Sequence, residues 1–187
     1  MRKAAKKQST SRVTFKVLRL NDVIYNLGDT VRIKEEHDED SYGTVLKFWK
    51  KSGESEAFVR VRWFFKPKDV LRPLEDFISQ GELFDSDLEQ DIWVQSIYGK
   101  VTVKSLEDYH QLDEIEEDIY FCRAVYRHKE RVLDPPYMEW KRVCYCKNIL
   151  NPDHLYFVCE GCNGLFHVHC VGVIDQRKLF YCSKCFN

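Results

Sequence analysis

The stretch that decides the fold begins Cys144-Tyr145-Cys146 and continues through Cys159-Glu160-Gly161-Cys162 and His167-Val168-His169-Cys170 to Cys182-Ser183-Lys184-Cys185. Seven of the eight cysteines of the chain fall in it. Closely spaced pairs of this kind each supply two ligands from one tight turn, and a tetrahedral zinc ion takes four. Four pairs therefore imply two zinc ions. The gaps between pairs are 12, four and 11 residues. Four residues are too few to separate two independent knuckles, so the spacing favours an interleaved arrangement, pairs one and three on one metal, two and four on the other. So short a stretch cannot bury enough apolar surface to fold unaided. The metal is expected to supply on the order of 10–16 kcal/mol. Every coordination position is filled by the chain, whereas a catalytic zinc keeps one open. Both sites read as structural.

The remainder of the chain is globular in composition. Of 187 residues, 44% are hydrophobic and 14% aromatic, and the formal net charge is −1. That balance argues against a dedicated nucleic-acid binder. No run approaches the ~18–20 apolar residues of a membrane span, and the N-terminus lacks the apolar core of a secretory signal. The cysteines are therefore expected to stay reduced and to hold metal. A secreted disulfide scaffold is the competing reading, and the histidine at the fifth ligand position argues against it. No phosphate loop, paired-carboxylate motif or open metal site points to an enzyme.

Residues 1–12 carry Arg2, Lys3, Lys6, Lys7 and Arg12 with no acid. They read as a basic flexible tail able to make a weak DNA contact. From about Val13 to Arg131 the pattern is one of short strands. Phe58 to Phe65 is the clearest, with Arg60 and Arg62 on one face and Val59, Val61, Trp63 and Phe65 on the other. Tyr42–Trp49, Gly99–Val103 and Asp118–Tyr126 read as further strands, and a short helix is expected near Leu74–Ile78. Short strands in this number suggest a small barrel. Asp134-Pro135-Pro136 marks a boundary. With no Gly/Ser linker after it, the two parts are expected to pack as one unit.

The ligand order of four cysteines, one histidine and three cysteines resembles a plant homeodomain (PHD) finger, a cross-braced two-zinc module. A RING-type finger has the same ligand logic but different spacing. The PHD resemblance assigns Cys144, Cys146, His167 and Cys170 to the first zinc and Cys159, Cys162, Cys182 and Cys185 to the second. It also implies that aromatic residues two places before the histidine and just before Asn151-Pro152-Asp153 would cage a methylated lysine. Here those places hold Leu165 and Leu150, which have no ring face to offer a cation. The finger is therefore expected to fold, with Phe180 plugging its core, but to read trimethyl-lysine poorly. Tyr156 could form one wall of a partial cage.

Asn26-Leu27-Gly28-Asp29-Thr30-Val31, Tyr42-Gly43-Thr44-Val45, Arg62-Trp63-Phe64-Phe65-Lys66-Pro67, Gly81-Glu82-Leu83-Phe84, Ser96-Ile97-Tyr98-Gly99-Lys100-Val101 and Tyr120-Phe121-Cys122-Arg123 occur in that order. Together they resemble a bromo-adjacent homology (BAH) domain. The succession of BAH and PHD resembles the plant chromatin readers of the early bolting in short days and short life family. The resemblance implies that Tyr42, Trp63 and Phe65 cage trimethyl-lysine, with lysine 27 of histone H3 as the ligand. It also implies a histidine beside the cage, where this chain holds Leu88 or Glu89. Against it stands a plain alternative, that Trp63 and Phe65 are barrel core. Two acidic stretches, Glu35–Asp40 and Glu107–Asp118, suit a basic histone tail.

The expectation is thus a mainly β chain: a tail at 1–12, a BAH-type small β-barrel at 13–135 and a cross-braced two-zinc PHD finger at 141–187. Its function would be that of a nuclear chromatin reader binding a trimethylated histone H3 tail, with no membrane partner. The alternative is a scaffold subunit of a chromatin complex, with an exposed apolar patch at Leu150, Leu165 and Phe166 as its protein interface.

Overall fold

The computed structural model describes residues 11–34, 39–172 and 179–186. The basic tail, save Ser11 and Arg12, and Glu35, Glu36 and Asp38 of the first acidic stretch lie outside the described residues.

The elements in chain order are β1 (Arg12–Phe15), β2 (Val17–Leu20), β3 (Val23–Asn26), β4 (Thr30–Lys34), β5 (Asp40–Lys51), β6 (Ala57–Phe64), α1 (Pro67–Val70), β7 (Asp85–Ser86), β8 (Glu89–Trp93), β9 (Ile97–Ser105), α2 (Leu106–His110), β10 (Ile119–Cys122), β11 (Val125–Arg127), β12 (Val132–Asp134), β13 (Arg142–Val143), β14 (Asn148–Ile149), β15 (Tyr156–Val158), β16 (Leu165–His167) and α3 (Val168–Val171). The main sheet runs β10-β9-β4-β5-β6-β8, with β1 added along the far half of β5. All its pairs are antiparallel except β9 with β10.

Alternation builds this sheet. In β6, Val59 and Val61 are fully buried. Arg60 and Arg62 point the other way and pair with Asp91 and Asp85. The valines join Val31, Ile33, Val45, Phe48 and Ile97 in the main core. Gly43 suits the close pairing of β5 with β6, because a Cβ there would stand 3.0 Å from that of Val61. Segment 81–84 then closes the sheet. Phe65 and Phe84 exchange backbone hydrogen bonds at 2.8 and 2.9 Å, while Leu83 donates to Phe121 and Phe121 to Gly81. This seam joins the end of β6 to β10.

Two sequence expectations are corrected. No helix forms at Leu74–Ile78, which is turn and irregular chain. The helix lies earlier, at Pro67–Val70, where proline takes the first helical position and loses no hydrogen bond. The strand expected over Asp118–Tyr126 is two strands in different sheets, β10 beside β9 and β11 between β7 and β12.

The C-terminal module is fused to the barrel through shared cores. Trp140 and Ile149 pack with Phe84, Ala124 and Leu133. Val143 and Leu150 pack with Leu106, Tyr109 and Phe121. The expectation of a single packed unit matches this arrangement.

Candidate functional site

Where β5 begins and β6 ends, a cavity of about 360 Å3 opens, and Tyr42, Trp63 and Phe65 all border it. The pairing that brings them there also separates them. Directly opposed residues of an antiparallel pair share a face of the sheet. Tyr42 opposes Phe64 and Trp63 opposes Gly43, so Tyr42 and Trp63 belong to opposite faces. They meet at the cavity because both strands run out there.

Each ring has its own support. Tyr42 is only 5% exposed. Its ring packs on Tyr120 at 4.7 Å between centroids, and the two hydroxyls are 2.7 Å apart. Burial, then the Tyr120 hydrogen bond, pushes the Tyr42 phenol well above its ordinary pKa, keeping the ring neutral. Half-buried Trp63 leans on the main core. Its indole N–H donates to Gln90 at 3.1 Å and its backbone N–H to the Leu88 carbonyl at 3.0 Å. Phe65 stacks on His128 at 5.6 Å and meets Tyr126 edge-on at 5.0 Å. All three rings pack against neighbours, and each also borders the cavity.

Charge surrounds the rings. Glu39, Asp40 and Asp69 border the cavity, and so does Lys66. The Lys66 ammonium stands 5.9 Å from the centre of the Tyr42 ring and 3.5 Å from Glu39. Hydrogen bonding from Lys68 holds the Glu39 carboxyl below its usual range. Asp40 accepts from the Tyr98 hydroxyl and lies near Arg32, which also pairs with Asp118. Aromatic faces with nearby carboxylates attract an alkylated ammonium group. Leu88 borders the cavity beside the rings with an apolar side chain. Sequence reasoning missed Gln90 and Asp69, which no local motif marks.

The eight zinc-type ligands come together in the two groups expected. Cys144, Cys146, His167 and Cys170 form one; Cys159, Cys162, Cys182 and Cys185 form the other, with all ligand atoms of a group within 4.8 Å of one another. His167 presents Nδ1, 3.3 Å from Cys146 Sγ. Cys162 and Cys182 Sγ are 3.9 Å apart, close to the roughly 3.8 Å of two thiolates on one tetrahedral zinc. The Cys182 N–H donates to Cys159 Sγ and, as the leading cause, lowers that thiol to about 6. Sulfur donors in this geometry are compatible with zinc and with a PHD-like finger. Phe180 plugs the small core against Phe157 and Phe166. His169 is exposed. Cys122, in β10, is half-buried and donates to the Ala124 carbonyl.

The apolar patch expected on the finger is not free, which removes the motive for the scaffold reading. Leu150 is 2% and Phe166 8% exposed. Leu150, Leu165 and Tyr156 pack against Leu106, Tyr109 and Leu112 of the barrel domain. The loop after Leu150 is held as well. Asp153 accepts from Ser79 Oγ at 2.8 Å and from the Gln80 N–H at 3.0 Å, and Asn151 donates to the Asp76 carbonyl. Tyr156, considered as a cage wall, spends its hydroxyl on the Asn151 backbone.

Comparison with known proteins agrees with the architecture of the barrel domain. The model of the BAH domain family matches residues 23–137. The chain is 35% identical to chromatin remodeling protein SHL of Arabidopsis thaliana over 135 residues, covering 70% of this chain and 58% of that protein. It is 31% identical to chromatin remodeling protein EBS of the same plant over 131 residues, covering 68% and 55%. It thus spans less than two thirds of the length of either relative. Among solved structures, the yeast Rsc2 BAH domain superposes with a TM-score of 0.55 at 16% identity, over 64% of this chain and 53% of that one, and shows the fold alone. The closed β-fold, the family match and the relatives agree: this chain belongs to the BAH domain family.

Proposed function

We propose that the chain is a nuclear chromatin reader that holds a trimethylated lysine of the histone H3 tail, lysine 27 first, in the cavity of Tyr42, Trp63 and Phe65. The observation that carries the reading is that these rings border one open cavity together with Glu39, Asp40 and Asp69. A methylated ammonium is weakly hydrated, so it leaves water cheaply and is drawn to ring faces at roughly 0.5–2 kcal/mol per ring. The carboxylates add long-range attraction for a basic tail. The C-terminal module, braced by two structural zinc ions, supports the barrel and does not itself read methyl-lysine.

The experiment is a calorimetric titration of H3 peptides carrying unmodified or trimethylated lysine 27, 9 or 4, with the wild-type chain and Trp63→Ala. Trimethylated lysine 27 should bind best, and Trp63→Ala should weaken it about tenfold or more. A lysine analogue with a neutral tert-butyl head, equal in shape, should bind less well, because the ring faces attract charge. Equal binding by wild type and Trp63→Ala would dismiss the cage.

A further inference from the structure

Charges are distributed unevenly between the two modules. Among the described residues, every ion pair falls between Arg19 and Asp134. In the C-terminal module, Lys141, Arg142, Lys147 and Lys184 are all exposed, and none has an acidic partner among the described residues. These four border a single groove of about 480 Å3 that contains no carboxylate. Its fixed parts are well anchored. Arg142 donates to the Lys147 carbonyl at 2.9 Å. Tyr145 is 46% exposed, its ring packs on Phe166 at 4.8 Å, and its hydroxyl accepts the Ser183 N–H at 2.7 Å. Asn163 adds an amide at the edge.

Four cations along one groove, with no acidic partner among the described residues and a flat exposed ring beside them, fit a regularly spaced polyanion. We propose that this groove binds the phosphate backbone of duplex DNA. The site uses none of the basic residues at positions 1–12 and does not depend on the methyl-lysine reading. The competing role for the same cations is charge balance. Cys144, Cys162 and Cys182 lie behind the groove, and the seven thiolates of the module outweigh the charge of two divalent ions. That role alone predicts loss of metal from the variants and no change in DNA affinity.

The test uses the full chain, purified with zinc, and a fluorescein-labelled duplex of about 20 base pairs, with anisotropy followed across a salt series. Each phosphate contact contributes about 0.9 to the slope of log affinity against log salt. The triple variant Lys141→Gln, Lys147→Gln, Lys184→Gln should lose about 2–3 from that slope and at least tenfold in affinity at low salt. Lys147→Gln and Lys184→Gln alone should each lose about one, which decides the matter if the triple variant fails to fold. Zinc content, read by dye after thiol oxidation, should stay at two per chain in the single variants. The proposal is overturned if the wild type does not bind the duplex at low salt, or if the zinc-retaining variants keep the wild-type slope. It is equally overturned if removal of residues 1–12 abolishes binding by itself, or if a glutamate polymer competes as well as DNA.

Discussion

Arg123 donates to the Leu150 carbonyl at 2.7 Å and so ties the barrel to the zinc module. The same guanidinium holds Glu82 through two hydrogen bonds at 2.6 and 2.8 Å. It also lies over the Trp140 ring at 4.6 Å. The two side chains are 5% and 0% exposed. Burial pushes the Glu82 carboxyl up, and Arg123 opposes that shift. Removing one partner of such a pair leaves a buried uncompensated charge, at a cost of about 3–5 kcal/mol. Arg123→Met should therefore shift the urea midpoint far down. Arg123→Met with Glu82→Leu should recover much of the loss, since no orphan charge remains.

Metal removal should be felt well beyond the metal sites. Ile149 shares a core with Phe84, and Val143 and Leu150 share one with Phe121. Phe84 and Phe121 are the residues whose backbone hydrogen bonds close the barrel. Stripping the metal with a chelator should raise amide exchange at Phe65, Phe84 and Phe121 and weaken H3 peptide binding. Unchanged exchange at those amides would show that the barrel does not need the finger.

Restoring aromatic residues to the finger should harm the protein without creating a cage. Leu150→Tyr enters a filled space beside Leu106, Tyr109 and Phe121. Overpacking of this kind costs about 1–3 kcal/mol, and a chain of this length loses about 2–4 °C in melting temperature per kcal/mol. Thermal melting should fall accordingly, and a trimethyl-lysine-4 peptide should gain no affinity. A gain would mean that the finger can part from the barrel.

Lys66 lies 5.9 Å from the centre of the Tyr42 ring, so under the proposed reading it would compete with an incoming cation there. Lys66→Met keeps the length of the side chain and removes its charge. Affinity for a trimethylated H3 peptide should rise about 2–5-fold, the equivalent of roughly 0.5–1 kcal/mol. Calorimetry with wild type and variant reads this directly, and a loss of affinity would mean that Lys66 helps to hold the peptide.

Acid stability should depend on Asp91. Its carboxylate accepts Arg60 Nε and Nη2 at 2.9 and 2.8 Å and Trp49 Nε1 at 3.1 Å. The Arg60 hydrogen bonds, first among its causes, hold the carboxyl below its ordinary value. The unfolded chain therefore takes up the proton at a higher pH than the folded one. The stabilisation is complete above the unfolded value near about pH 4 and is lost as pH falls through the lowered folded value. Asp91→Asn should be less stable than wild type at neutral pH and should lose less on acidification, as unfolding measured from pH ~2.5 to ~6 will show.

The parts of this structure that could be read from the sequence are those whose information is local. Ligand spacing favoured the interleaved pairing of the two metal-type groups, the PHD resemblance assigned their residues, and strict alternation identified β6. What escaped depends on partners distant in the chain. Nothing near Leu150 reveals that Leu106, Tyr109 and Phe121 cover it, so it read as an exposed relic of a lost cage. Nothing near Glu82 announces that Gly81–Phe84 seals the barrel. Trp63 and Phe65 were readable as neighbours from their spacing. The opposite facing of Tyr42 follows from the β5–β6 register, which a single sequence does not state. The helix expected at Leu74–Ile78 failed for a different reason: Asn151 and Asp153 of the finger bind the Asp76 carbonyl, the Ser79 hydroxyl and the Gln80 N–H in an irregular conformation.

Trp140 lies beyond the last residue of the family match, yet its indole completes the cluster around Phe84 and donates to the Pro135 carbonyl. Truncation after that match would leave a greasy hole beside the seam and bare Leu106 and Tyr109 of α2. The smallest autonomous folding piece is then longer than the recognisable domain, and excising the domain by its sequence borders should yield an aggregating fragment, not a miniature reader.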